Sequence, residues 1–397
     1  MGKKAYIGTN SVARKIKKGY IGVGGIARKI KKAYIGIGGV AKQFLSSYGT
    51  PSYYGTAPDM SQAMETIGSS YNDEYVLFIG GSNGNSAGSA TAVDAYNKSL
   101  VRSSPANAPY NSPNYSVGAK AGSYAVVFGG ANSTSGKLAF AYSSSLALTS
   151  GLATTSYHNY GGAGTLGEYA IGAGGAVSTT NSSAGTASVE AMGSSLAVTA
   201  LADLSSVKKN CKTGINEKYL IFACGTSYNS SNGSTVYYDT VDAYNLSLVK
   251  TVAPVSTFTD YYYYAGVGSS GEYAVIFKTA MTSGTNIEYN AYNTNLVRTS
   301  GYISSGTRSY FGVTNVNGCT FVGGGLPNVG SEYVGATDVW SLNDSLVSTL
   351  MSTGLVRGAY NMGVGSIGDY ALFASGRYGY SSSNEGYRPY VTVYTAT

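Results

Sequence analysis

Histidine occurs once in this 397-residue chain, at position 158; tryptophan also occurs once, cysteine three times and proline eight times. A single histidine rules out a His-rich metal centre, and any Ser-His-Asp site would have to use His158. No nucleophile-elbow motif accompanies it, and a lone histidine on a connecting segment ordinarily is exposed or hydrogen-bonded within the fold. Cys211, Cys224 and Cys319 lack CxxC spacing and a neighbouring histidine, so they read as buried free thiols. Charged residues make up only 11% of the chain. Glu74, Glu168, Glu217, Glu272 and Asp369 each fall just before a repeated strand. A position repeated in this way is turn chemistry rather than the paired carboxylates of a glycosidase. The expectation is a non-enzymatic protein with no cofactor and no metal. No run approaches the ~18 apolar residues of a membrane span, and no apolar stretch of leader length follows the basic N-terminus. Neither membrane insertion nor a secretory leader is expected.

Glycine (55 residues) and tyrosine (38) are abundant instead, and aromatics reach 12%. Disorder goes with few aromatic and β-branched residues; here Val, Ile and Thr recur in short runs between Gly/Ser/Asn clusters, the pattern of many short strands joined by turns. Charge is unevenly spread. Eleven of the 26 Lys/Arg fall in residues 1–44, which hold no acid; residues 45–397 therefore carry 15 basic against 19 acidic residues, a net of −4. Two regions with different partners are implied. The basic stretch lacks a recognised nucleic-acid-binding module, so nucleic acid is not an expected partner; the plainest reading of it is a solvated polar face.

Two internal repeats organise the chain. The first has a period of fourteen residues: KKAYIGTNSVARKI (3–16), KKGYIGVGGIARKI (17–30) and KKAYIGIGGVAKQF (31–44). Each unit reads as a strand, a tight turn (Gly24-Gly25 in the second unit) and a second strand, giving a short β-meander arm with Lys3, Lys4, Tyr6, Lys17, Lys18, Tyr20, Lys31, Lys32 and Tyr34 as its anchoring residues. The second period is about 49 residues. Its aromatic-aliphatic strand appears as YVLFIGG (75), YAVVFGG (124), YAIGAGG (169), YLIFACG (219), YAVIFKT (273), CTFVGGG (319) and YALFASG (370). A second marker, such as VDAYNKSLV from Val93, follows in each of the first six repeats, whereas the last repeat stops at VTVYTAT before its Leu-Val half. With four strands per unit, a to d, and strand d beginning at the Leu-Val step, the prediction is all-β: a seven-bladed β-propeller over 45–397 preceded by the 1–44 arm. The spare segment at about 45–58 is expected to close the ring.

The double glycine that ends strand b (Gly80-Gly81, Gly129-Gly130, Gly174-Gly175) and the following V-x-x-Y strand resemble the kelch repeat. The usual kelch Trp on strand d is missing, and Lys278-Thr279 replaces one glycine pair. The KKAYIGxGGVAR units joined to VDAYN-type repeats look like virion or tail-fibre proteins of phages and prophages of gut Firmicutes. The resemblance implies a virion protein made in the host cytoplasm. Its arm would engage other virion proteins and assemble the chain into a homo-oligomer such as a trimer, and its propeller would bind a host-surface glycan or protein. The alternatives are a capsid or tail decoration protein and a cytoplasmic kelch-type scaffold.

Connection lengths give this reading a direction. The a–b and c–d turns are short, while the b–c and d–a connections are longer and share the opposite face of an antiparallel blade. An arm entering at strand d leaves on the short-turn face. The long loops are rich in Tyr, Ser, Gly and Asn, a composition suited to recognition. Candidate ligand-binding residues are Tyr115, Tyr160, Tyr264, Tyr310 and Tyr360, which recur before strand a near the channel mouth and would stack on sugars or cap each blade. To these are added Tyr157, the run Tyr261, Tyr262 and Tyr263, and the last b–c loop's Tyr378 and Tyr380.

Overall fold

The computed structural model describes residues 49–397 except 83–88, 110–116, 130–136, 177–183, 259–265, 279–285, 307, 328–333 and 380–385; at 89, 267 and in the strands of 1–48 it describes the backbone alone. Seven four-stranded antiparallel sheets follow one another, and no helix occurs among the described residues. In blade 2, for example, strands a to d are Val117–Ala121, Tyr124–Phe128, Leu138–Tyr142 and Leu148–Ala153. Strand a of each blade packs against strand a of both neighbours, through all seven blades and back to the first, so the chain is a closed seven-bladed β-propeller. The seventh sheet consists of Gly363–Ile367, Tyr370–Ala374, Val391–Ala396 and, as its outer strand, Pro51–Ala57 from the other end of the chain. Gly49 donates its N–H to the carbonyl of Asn317, in the a–b turn of blade 6, at 3.1 Å. The chain therefore meets the propeller on its short-turn side. Residues 1–48 contribute three two-stranded hairpins, with Tyr6 opposite Lys15, Tyr20 opposite Lys29 and Tyr34 opposite Gln43.

Strand b reads as an unbroken apolar run because it is covered on both faces by neighbouring blades. Leu77 and Ile79 of blade 1 pack with Val127, Phe140 and Tyr142 of blade 2. At the seam, Leu372, Val391 and Val393 of blade 7 pack with Val76, Phe78 and Tyr96 of blade 1. Each such side chain, fully buried, contributes ~1.5–3 kcal/mol. Outer strands are exposed, Leu148–Ala153 among them.

The Leu-Val step is not the start of strand d. It is the c–d turn itself. Asn97 Oδ1 accepts the N–H groups of Ser99 (2.9 Å) and Val101 (3.0 Å), and Asn245, Asn293 and Asn343 make the same pair of bonds. Common to all six turns is a backbone bond from the leucine N–H to the carbonyl three residues earlier, on Ser143 and Gly193 as well as on the asparagines, and the leucine lies in the left-handed region, with φ between 58° and 63° at Leu100, Leu146, Leu196, Leu248, Leu296 and Leu346. The conformation costs ~1–2 kcal/mol for an L-residue. Burial of the side chain offsets it, as at Leu100 and Leu296, each only 8% exposed.

Candidate functional site

The long-loop face is built from the double glycine. Its first member lies in the left-handed region (Gly80 φ 57°, Gly174 φ 61°, with Cys224 and Ser375 taking the same turn), and its second has φ from 93° to 135° at Gly81, Gly175, Gly225, Gly325 and Gly376. A Cβ at Gly175 would lie 2.4 Å from the Tyr157 carbonyl oxygen. The turn lets the next residue bridge to the d–a segment: Ser82 to Glu65, Ala176 to Asn159, Thr226 to Lys209 and Arg377 to Tyr360. Blade 5 has Lys278 in place of the first glycine, and there strand b simply continues, with Lys278 opposite Glu288. In blade 4 the long b–c connection is not irregular but a β-hairpin, Thr226–Asn229 with Ser234–Tyr237.

Strand c anchors the d–a segments. Asp94 accepts from Ser61 N and Oγ, both at 2.9 Å; Asp242 accepts from Ser205 N (3.0 Å) and Oγ (2.5 Å); and Glu190 accepts from Thr155 N (2.8 Å) and its hydroxyl. Two residues further along the same strand, Tyr96, Tyr142, Tyr244 and Tyr394 donate their hydroxyls to the carbonyls of Pro58, Ala106, Ala202 and Thr353. The VDAY marker thus carries the groups that hold the rim of the binding face. It had been legible only as a repeat.

His158 belongs to this anchoring set. It is fully buried, with Nδ1 3.0 Å from the Gly174 carbonyl and Nε2 3.0 Å from Glu190 Oε2. Burial pushes the Glu190 carboxyl up, but the hydrogen bonds from His158 and Thr155 outweigh it and leave the group below the ordinary carboxylate range. A second buried charge, Lys208, reaches Thr240 Oγ1 at 2.9 Å and Asp242 at 3.7 Å. Burial pushes the thiols of Cys211, Cys224 and Cys319 up to about 11. Among the described residues no group of three or more His, Cys, Asp or Glu is placed to hold a metal.

The predicted tyrosines divide. Tyr115, Tyr261, Tyr262, Tyr263, Tyr264 and Tyr380 lie outside the described residues, as do Lys3, Lys4, Lys17, Lys18 and Lys31 of the arm; Tyr6, Tyr20, Lys32 and Tyr34 lie on its hairpin strands. Tyr160 and Tyr310 precede strand a with φ of 55° and 58°, a register that Thr66, Asn210 and Asn361 share. Backbone bonds link this register between blades: Asn210 N–H to Tyr160 O (2.5 Å), Asn361 N–H to Tyr310 O (3.1 Å) and Thr66 N–H to Asn361 O (2.7 Å). The repeated position therefore ties adjacent blades around the mouth through its backbone, whatever side chain it bears. Tyr360 is only 5% exposed and packs 6.1 Å from the Tyr310 ring, so it has no free face for stacking. Tyr157 is half-buried beneath Lys137 Nζ, 4.8 Å from its ring centre.

Tyr378 lies in a different setting, a shallow cleft open to solvent on blade 7. Leu355, Met362 and Phe373 form its apolar floor, and Arg357, Tyr378, Arg388 and Tyr390 line it. The Arg357 guanidinium sits 4.0 Å over the Tyr378 ring. The two arginines and Tyr390 went unnoticed in the sequence because no repeat brings them together. Compared with protein families and with curated proteins, the sequence shows no match.

Proposed function

We propose that this propeller is a receptor-binding component of a phage particle, kelch-like in its blades. Its basic arm would join other virion proteins, and its long-loop face would bind a surface glycan or protein of the host. The observation that carries the reading is the polarity of the ring: the chain from the arm enters at Gly49 beside a short a–b turn, while on the opposite rim strand c holds d–a segments at Asp94, Glu190 and Asp242. A propeller scaffold with separately anchored loops suits protein or glycan recognition. The N-terminal KKAYIGxGGVAR units supply the likeness to virion proteins.

Immunogold electron microscopy of induced lysates, with antibody against 45–397, tests this. Gold at fibre tips or baseplate is the expected result. Gold over the head or along the shaft would make the protein a decoration component, and unlabelled particles would sink the virion assignment.

A further inference from the structure

We infer that the blade 7 cleft is a binding site for an acidic saccharide, one bearing carboxylate or phosphate. This rests on the proposed binding role of the long-loop face and names the ligand class for it. The argument begins with charge. Residues 45–397 carry a net of −4, yet among the described residues that line this cleft none is acidic and two are exposed arginines. Among the described residues Arg357 makes no hydrogen bond or ion pair, only its stacking contact with Tyr378. Arg388 makes a single 3.3 Å bond to the Tyr387 carbonyl. By contrast Arg102 and Arg308 are each paired with an aspartate, and Arg377 with Glu65.

A guanidinium offers five donors in a fixed fork that matches the two oxygens of a carboxylate or phosphate. The Arg357 guanidinium carbon lies 4.0 Å from the Tyr378 ring centre and the side chain is exposed, within reach of such a ligand. The rest of the cleft suits a sugar ring. Tyr390, 38% exposed, offers an aromatic face, and Leu355, Met362 and Phe373 form an apolar floor. A neutral glycan would leave both guanidinium groups unmatched, so the arrangement selects for an anion.

The test is calorimetric titration of the full-length protein with three probes: an oligogalacturonate, a poly(glycerol phosphate) and neutral maltoheptaose. Binding of either anionic probe and not of maltoheptaose is expected, and which one binds identifies carboxylate or phosphate as the charged group. Arg357→Gln and Arg388→Gln should each weaken it at least ~10-fold and flatten its salt dependence, with an unchanged unfolding midpoint. Tyr390→Ala should weaken it without changing the salt dependence. Failure of both anionic probes, or equal binding by the arginine variants, overturns the inference. If that failure comes with gold at fibre tips, the receptor-binding reading stands without it; if the anionic probes bind but particles carry no gold, only the virion assignment falls.

Discussion

Removing the charge of Glu190 in two ways separates its electrostatic role from its role as a hydrogen-bond acceptor. Glu190 is 1% exposed and His158 not at all. Both ring nitrogens face oxygen atoms, the Gly174 carbonyl and the Glu190 carboxylate, each at 3.0 Å. With an ionised carboxylate, which has no proton to donate, both contacts are hydrogen bonds only when the ring carries two protons. Glu190→Ala strips the partner from a buried imidazolium and leaves Thr155 N–H without its acceptor; the expected cost is ~3–5 kcal/mol, the range for breaking a buried pair. Glu190→Gln behaves differently. Its carbonyl still accepts from Thr155, and its amide can donate to the Nε2 of a neutral ring. Exchanging a buried ion pair for a neutral pair is often close to neutral, so the loss at pH 7 should stay under ~1.5 kcal/mol.

The pH dependence gives an independent check. The folded Glu190 carboxyl lies below its ordinary value, so the stability it contributes is complete above the unfolded-state value of ~4.3 and disappears as pH falls through the folded value. Urea unfolding followed by Trp340 fluorescence and circular dichroism between pH 3 and 7 should show limbs of different shape: the wild-type loss from Glu190 waits until pH falls below ~4.3, whereas Glu190→Gln, whose buried neutral ring takes up a proton only on unfolding, loses stability from ~6.5 downward. Parallel acid limbs, or a Gln variant as unstable as the Ala variant, would refute the ion-pair assignment.

The glycine pair predicts a contrast. Gly175→Ala combines φ of 128° with a Cβ 2.4 Å from a carbonyl oxygen and should cost at least ~2 kcal/mol, whereas Gly151→Ala, at φ 72° with nothing within 4 Å, should cost ~1 kcal/mol; unfolding midpoints decide. Deleting 1–48 should leave a monodisperse propeller by size-exclusion chromatography, while deleting 1–57 bares the edge of Val391–Ala396 and should produce self-association; equal behaviour of the two would refute the role of the seam strand. The buried thiols, with values near 11, should resist a disulfide reagent at pH 8 in the native protein and all three react after unfolding.

What the sequence disclosed and what it hid follow from how each feature is encoded. The blades are written in tandem: seven apolar runs spaced near 49 residues can be counted because strand b is buried identically every time. The Gly-Gly pair was equally visible, since only glycine tolerates the second φ, and its loss at Lys278 shows in the structure as a strand that does not turn. The Leu-Val step was misread. Val after Leu has the composition of a strand, but a backbone bond closes the turn on the leucine in all six blades, and at Asn97, Asn245, Asn293 and Asn343 the side chain captures two further N–H groups; that repeated Asn, four positions before the valine, was the signal. The tyrosine register before strand a allowed two readings, stacking on sugars or capping each blade. Asn210, Asn361 and Thr66 occupy it as well, so the shared property is a left-handed backbone tied to the next blade, not an aromatic ring.

Among the described residues the Arg357–Tyr378–Arg388–Tyr390 combination is not repeated in the other blades, and this locates the difference between scaffold and site. Features that recur serve closure: packing of strand a in all seven blades, anchoring by strand c, and the c–d turn of the first six. A site must break that equivalence, because seven equal blades would present seven equal surfaces. Blade 7 is also the one sheet completed by a segment distant in sequence, Pro51–Ala57, so its c–d turn is absent and its b–c connection, 375–390, ends in a strand paired to the seam. Arg388 and Tyr390 lie at the end of that connection, within three residues of Val391. Their positions are therefore set by the strand that closes the ring, and a propeller opened at the seam should lose the cleft before it loses the other six blades.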